Sequence, residues 1–163
     1  MITYIFSGFN PKEHFGKEVS IFFKEDMKNS KSIVFIPGNF DSPDKVKRYA
    51  LTDIEWFKEI DITLEDINIL DNNMQEDIMK EKLTKADIIF IMGGDTQKQN
   101  TFLEKYNLKE TIKTSKGIVI GISAGAINLG IDSLCSKDLD DGVEKTILYM
   151  IRIDKRANRR NPQ

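Results

Sequence analysis

Cysteine and histidine are almost missing from this chain: each occurs once, as Cys135 and His14. A single cysteine excludes an internal disulfide and fits a reducing cytoplasm, where thiols stay reduced. No His/Cys/Asp cluster has metal-ligand spacing, so neither a metal nor a cofactor is expected. A strong charge of one sign is missing as well. The 163 residues carry a formal net charge of −2 and a pI near 5.5, which argues against a general nucleic-acid binder. The longest apolar runs are strand-length, far short of the ~20 residues that cross a bilayer as a helix. Met1 to Phe9 have no basic segment leading into an apolar core, which excludes a secretory signal there. Repeats of 20–50 residues and low-complexity linkers are also absent. The expectation is one domain over residues 1–149, without a membrane or nucleic-acid partner.

What is present is an alternation of apolar runs and amphipathic stretches. Ile2 to Phe6 reads as a first strand, then Phe15, Val19, Phe22 and Phe23 recur at helical spacing. Ser32 to Ile36 is a second strand, broken by Pro37-Gly38. Ser42-Pro43 places a capping side chain before a proline at the first helical position, and Val46, Tyr49, Ala50 and Phe57 make the stripe of that helix. Trp56 lies near the same stripe, which predicts partial burial. Ile67 to Leu70 is a third strand, and Asn73 with Glu76 resembles a capping box for a helix through Leu83. Ile88 to Met92 and Ile118 to Ile120 are continuous apolar runs that suit strands buried on both faces of a parallel sheet. A helix bearing Phe102, Leu103 and Tyr106 separates them. The fold class is therefore α/β, a three-layer open parallel sheet with helices on both faces.

After Gly130 the pattern changes. Asp132 to Gly142 form a polar, acid-rich stretch, and Thr146 to Tyr149 read as one more short strand. Residues 150–163 carry Arg152, Lys155, Arg156, Arg159 and Arg160 against Asp154, and read as a basic, disordered or aberrant tail. An anion-binding arm is the sharper alternative for it.

The chemistry gathers where the two apolar runs end. The first leads into Gly93-Gly94-Asp95-Thr96, the second into Gly121-Ile122-Ser123-Ala124-Gly125. In parallel sheets ligands bind beyond the carboxyl ends of the strands. The second bend has the Gly-x-Ser-x-Gly pattern that holds a serine on a tight strand-to-helix turn, its hydroxyl above the sheet edge. The N–H of Ala124 is then a natural oxyanion donor, and an N–H at Gly94 a second. Gly93, Asp95 and Thr96 fall beside it as candidate substrate-binding residues. Asp95 has two readings, a substrate-facing carboxylate or a cap for the next helix. The Gly-Gly bend lacks the lysine of a phosphate-binding loop. His14, beside Phe15 and one turn before Glu18, reads as an exposed helix-surface side chain.

Taken together, the two motifs resemble the peptidase S51 (dipeptidase E) family of the class I glutamine-amidotransferase-like superfamily. The resemblance runs from the Ile33-to-Pro37 strand to about Val143. It implies a flavodoxin-like sheet and a serine hydrolase that removes N-terminal aspartyl residues from small peptides. By that likeness Ser123 is the nucleophile, Gly94 and Ala124 supply the oxyanion hole, and Asp138 orients the base. The family's base is a histidine further downstream, usually in a Pro-His pair, and this chain has no histidine beyond Ser123. A serine hydroxyl without a neighbouring base loses several orders of magnitude in rate. One expectation is that the reading frame is shortened or shifted after about Tyr149. Alternatives to the enzyme are a catalytically silent homologue binding a small ligand, or a fragment lacking the triad base.

Overall fold

A computed structural model of the protein describes residues 2–130. Within them the order is β1 (Thr3–Phe6), α1 (Gly16–Met27), β2 (Ser32–Gly38), α2 (Pro43–Glu59), β3 (Asp66–Ile69), α3 (Glu76–Lys85), β4 (Ile88–Gly94), α4 (Thr96–Lys105), α5 (Leu108–Thr114), β5 (Ile118–Ile122) and α6 (Ala124–Asn128). The five strands form one sheet in the order β1-β5-β4-β2-β3, and every pairing is parallel. The carboxyl ends of all strands therefore share one rim. Asp138, the Thr146–Tyr149 strand and the stretch 150–163 lie outside the described residues.

Two apolar faces follow from the period of two in the strands. One face of the central strands presents Ile33, Phe35, Ile88, Phe90 and Ile120 to Phe23 and Met27 of α1 and Ala50, Ile54 and Phe57 of α2. The other presents Val34, Ile36, Ile89, Ile91 and Val119 to Met79 and Leu83 of α3, Phe102 and Leu103 of α4, and Leu108 and Ile112 of α5. This is the expected three-layer, flavodoxin-like α/β arrangement. At the opposite rim Asp87 holds β2 and β4 together, accepting from the Lys31 N–H (2.8 Å), the Ser32 N–H (2.9 Å) and the Ser32 hydroxyl (2.9 Å).

Some local expectations are corrected. Phe22 and Tyr49 are 57% and 56% exposed, so both stripes are narrower than their spacing implies. Periodicity marks an apolar arc, and packing decides how much of it is covered. The cap of α3 is Gln75, without a side-chain cap bond, in place of the Asn73–Glu76 box. Asn73 instead donates its backbone N–H to Asp71 Oδ1 in a tight turn. The helix after β4 is broken in two at Asn107, whose φ of 50° is the left-handed conformation that asparagine tolerates. Pro37-Gly38 does not end β2. The register with β4 slips between Ile36 and Gly38, where proline withdraws an N–H, and pairing resumes at Gly94.

This topology creates a crevice. From β2 the chain moves outward to β3, then returns across β2 to β4 and on to β5. The helices after β2 and β4 cover opposite faces, so the connections leaving these neighbouring strands diverge at the carboxyl rim. Such a switch point is where open α/β sheets bind ligands.

Candidate active site

The bend after β5 is fixed from both sides. Ser123 donates its backbone N–H to Phe6 O (2.9 Å) and accepts at its carbonyl from the Ile127 N–H (3.1 Å). Between these bonds its backbone adopts φ 50° and ψ −112°, a strained conformation for a residue with a side chain. The flanking glycines explain how the turn closes. A Cβ on Gly125 would stand 2.1 Å from Ile91 O, and one on Gly121 would meet Leu129 Cδ1 at 2.6 Å and Gly125 O at 2.9 Å. Only without those atoms can α6 lie directly on β4 and β5. Ser123 is exposed, while Ala124, Gly125 and Ala126 after it are buried. Its hydroxyl makes no cap hydrogen bond to α6.

The bend after β4 is built differently. Gly94 has φ 142°, and a Cβ there would lie 2.9 Å from the Gly38 backbone. The Asp95 N–H donates to Gly38 O (2.9 Å), and the Asp95 carboxylate accepts from the Lys98 N–H (3.0 Å) as the cap of α4. Of the two readings of Asp95, the cap is the one observed. A Cβ built on Gly93 would be 3.5 Å from Ser123 Cβ, so the two bends adjoin at the same rim.

Beside them a pocket of about 170 Å³ opens over the switch point. Gly38, Asn39, Ser42, Lys45, Tyr49 and the Gly93–Asp95 bend line it. The Lys45 ammonium lies 5.9 Å from the centre of the Tyr49 ring. Lys98, in the first turn of α4, is paired with Asp41, and that hydrogen bond raises the lysine's pKa.

Of the residues singled out in the sequence, Gly93, Gly94, Asp95, Ser123 and Ala124 are thus brought to one place. Thr96 is half-buried, and its carbonyl accepts from Asn128 Nδ2 (3.1 Å). Asp138 lies outside the described residues. His14 is not on a helix surface. It precedes α1 at φ 53°, stacks on Trp56 with ring centres 4.8 Å apart, and donates from Nδ1 to Glu59 Oε2 (2.5 Å). Its partner is Glu59 on α2 rather than Glu18. His14, Trp56 and Glu59 line a separate cavity of about 380 Å³ that includes none of the residues of the two bends. Trp56 is half-buried against the core, as its stripe implied.

Sequence reasoning missed Gln99 and Asn128. Both are buried, and Asn128 Nδ2 donates to Gln99 Oε1 (2.9 Å). A signal for Gln99 existed, because it stands three and four residues before Phe102 and Leu103 on the buried arc of α4. Lys45 and Tyr49 gave no functional signal, being read as part of a helix. Among the described residues no group of His, Cys, Asp and Glu side chains could hold a metal ion, and no helix is long and apolar enough to cross a membrane.

The family model for Peptidase family S51 matches residues 4–148 of the chain. No curated protein matches it. Among solved structures, a candidate peptidase E protein from Listeria monocytogenes EGD-e is 24% identical, with a TM-score of 0.56 over 77% of this chain and 59% of that one. A peptidase from an acI-B1 Actinobacterium is 18% identical, with a TM-score of 0.53 over 77% of this chain and 55% of that one. Both are likenesses of fold, and the part of this chain that matches spans little more than half of each.

Proposed function

The chain belongs to peptidase family S51, and from that premise we propose that it is a serine peptidase of short peptides with Ser123 as nucleophile. The observation that carries the reading is the backbone of Ser123, held at φ 50° and ψ −112° with its side chain exposed beside the Gly93-Gly94 bend. A strained residue that keeps a polar side chain over a ligand crevice is a functional candidate. In the proposed reaction Ser123 Oγ attacks the scissile carbonyl carbon, and its hydroxyl proton is passed on to the departing amine nitrogen. The amides of Ala124 and Gly94 take the developing oxyanion. The C–N bond breaks, the amine leaves with a proton, and water hydrolyses the acyl-enzyme. Gly93, Asp95 and Thr96 form the wall against which the peptide lies, and the pocket containing Lys45 takes a side chain. N-terminal aspartyl dipeptides are the proposed substrates, and Asp138 the group that orients the base.

One observation favours a second reading. The proton of Ser123 needs an acceptor, and the chain's single histidine is occupied by Glu59 and Trp56 in another cavity. A silent homologue would keep the crevice and bind the peptide without cleaving it. Incubating the chain with aspartyl dipeptides and measuring released amino acid separates the two. Hydrolysis that disappears in Ser123→Ala supports the peptidase. A rise in melting temperature without hydrolysis supports the binder, since a ligand stabilises the fold it binds. Neither effect with any short peptide would remove both.

A further inference from the structure

We propose that Gln99 and Asn128 form a brace that sets the spacing between the two glycine bends, which makes them positioning residues for Ser123 and for the Gly94 amide. The kinetic part of this proposal rests on the reading of Ser123 as nucleophile. Its geometric part does not.

Each donor of the pair is used. Gln99 is fully buried on α4, and its Nε2 donates to Met92 O (2.8 Å) and, at longer range, to Ile36 O (3.4 Å). These carbonyls lie where the β2–β4 ladder slips, just ahead of Gly93 on one strand and of Pro37-Gly38 on the other. Proline cannot donate there, and Gln99 supplies amide hydrogens from the helix side instead. Gln99 Oε1 then accepts from Asn128 Nδ2 (2.9 Å), which also donates to Thr96 O (3.1 Å). An amide NH₂ has two hydrogens, and both groups employ both. Asn128 is the last residue of α6, one turn beyond the elbow.

The chain of bonds therefore runs from the end of β4 through α4 to α6, and so from one bend to the other. The alternative to a brace is a pair of polar residues that only fill the core. An apolar side chain at position 99 would fill that volume more simply, and would leave the Met92 and Ile36 carbonyls without this partner. The pair's amide hydrogens and Gln99 Oε1 are all engaged, Asn128 Oδ1 being the one buried atom of the pair without a partner, and such a network selects one relative placement of the elements it joins. Here those elements carry the two adjoining bends, so close that a Cβ built on Gly93 would be 3.5 Å from Ser123 Cβ.

The test uses Gln99→Met, which keeps length and volume, with Asn128→Ala and the double variant. Two readouts are taken on folded protein. The first is the set of backbone amide resonances at Gly93, Gly94, Ser123 and Ala124. The second is the rate at which a fluorophosphonate labels the serine. Gln99→Met is expected to shift resonances at the β5 bend, which it does not touch. It is also expected to slow labelling about tenfold, the scale of one buried hydrogen bond. The double variant is expected to be no slower than the slower single one, because both remove the same brace. Gln99→Glu adds a pH readout. Its carboxylate would repel the two carbonyls, and its protonation on lowering the pH would restore a donor and move the resonances back toward those of the native chain.

Unshifted β5-bend resonances in folded Gln99→Met, or strictly additive rate effects, would overturn the brace. If the unaltered chain is not labelled at all, the nucleophile reading fails. The resonances alone then decide the brace.

Discussion

The two bends at the rim use glycine for opposite purposes. After β4, glycines occupy the bend itself, because another backbone comes close: Gly38 and Gly94 approach so nearly that a side-chain carbon on either would collide. After β5, glycines flank the bend while a serine stands at its apex with φ 50°. Glycine would take that conformation at less cost. The first bend is thus explained by packing alone. The second keeps a side chain where packing would do without one. That contrast is the strongest physical reason to look for chemistry at Ser123 rather than at Gly94 or Asp95.

Substitutions sharpen or break the contrast. The largest effect is expected for Gly125→Ala, whose new carbon would stand 2.1 Å from a backbone oxygen of β4 that cannot swing aside. A loss of about 3 kcal/mol or more in denaturant unfolding is expected, and a loss under 1 would mean that α6 does not pack on β4 as described. Gly94→Ala comes next. Its positive φ and the 2.9 Å approach to Gly38 predict a loss of about 2 kcal/mol in the same measurement. Asp95→Ala removes the cap of α4 and should cost about 1 kcal/mol, whereas Asp95→Asn should be nearly neutral because asparagine caps as well. If Asp95→Asn proved as costly as Asp95→Ala, the carboxylate would have a task beyond capping. The smallest effect carries the opposite sign. Ser123→Gly should raise stability by up to about 1 kcal/mol by relaxing the apex, while Ser123→Ala, which keeps the strain, should not. A loss of stability in Ser123→Gly would place the serine with the packing residues and erase the contrast.

Much of this arrangement was legible in the sequence, for a definite reason. Uninterrupted runs such as Ile88 to Met92 are stable only when covered on both faces, so they announced a parallel sheet with helices above and below. Glycines at the ends of two such runs announced bends at one rim. Three-dimensional neighbours were less readable. Gln99 looked like one polar residue among several on α4, because its value lies partly in a β2 carbonyl and an α6 amide that the linear order keeps far away. His14 looked like a helix-surface residue because Glu18 is near in sequence, whereas Glu59 and Trp56 reach it through the packing of α2. Phe22 and Tyr49 obeyed the helical period and still face outward, since a period does not say where a neighbouring element stops.

The apex serine of the β5 bend is the proposed nucleophile, and its reactivity is open to a direct assay. It is tested most directly by treating the folded chain with a fluorophosphonate and locating the adduct by peptide mass spectrometry. A single adduct on Ser123, absent from Ser123→Ala and retained in Cys135→Ala, is the predicted result. A folded chain that stays unmodified, or one labelled at scattered hydroxyls with Ser123 untouched, would contradict it.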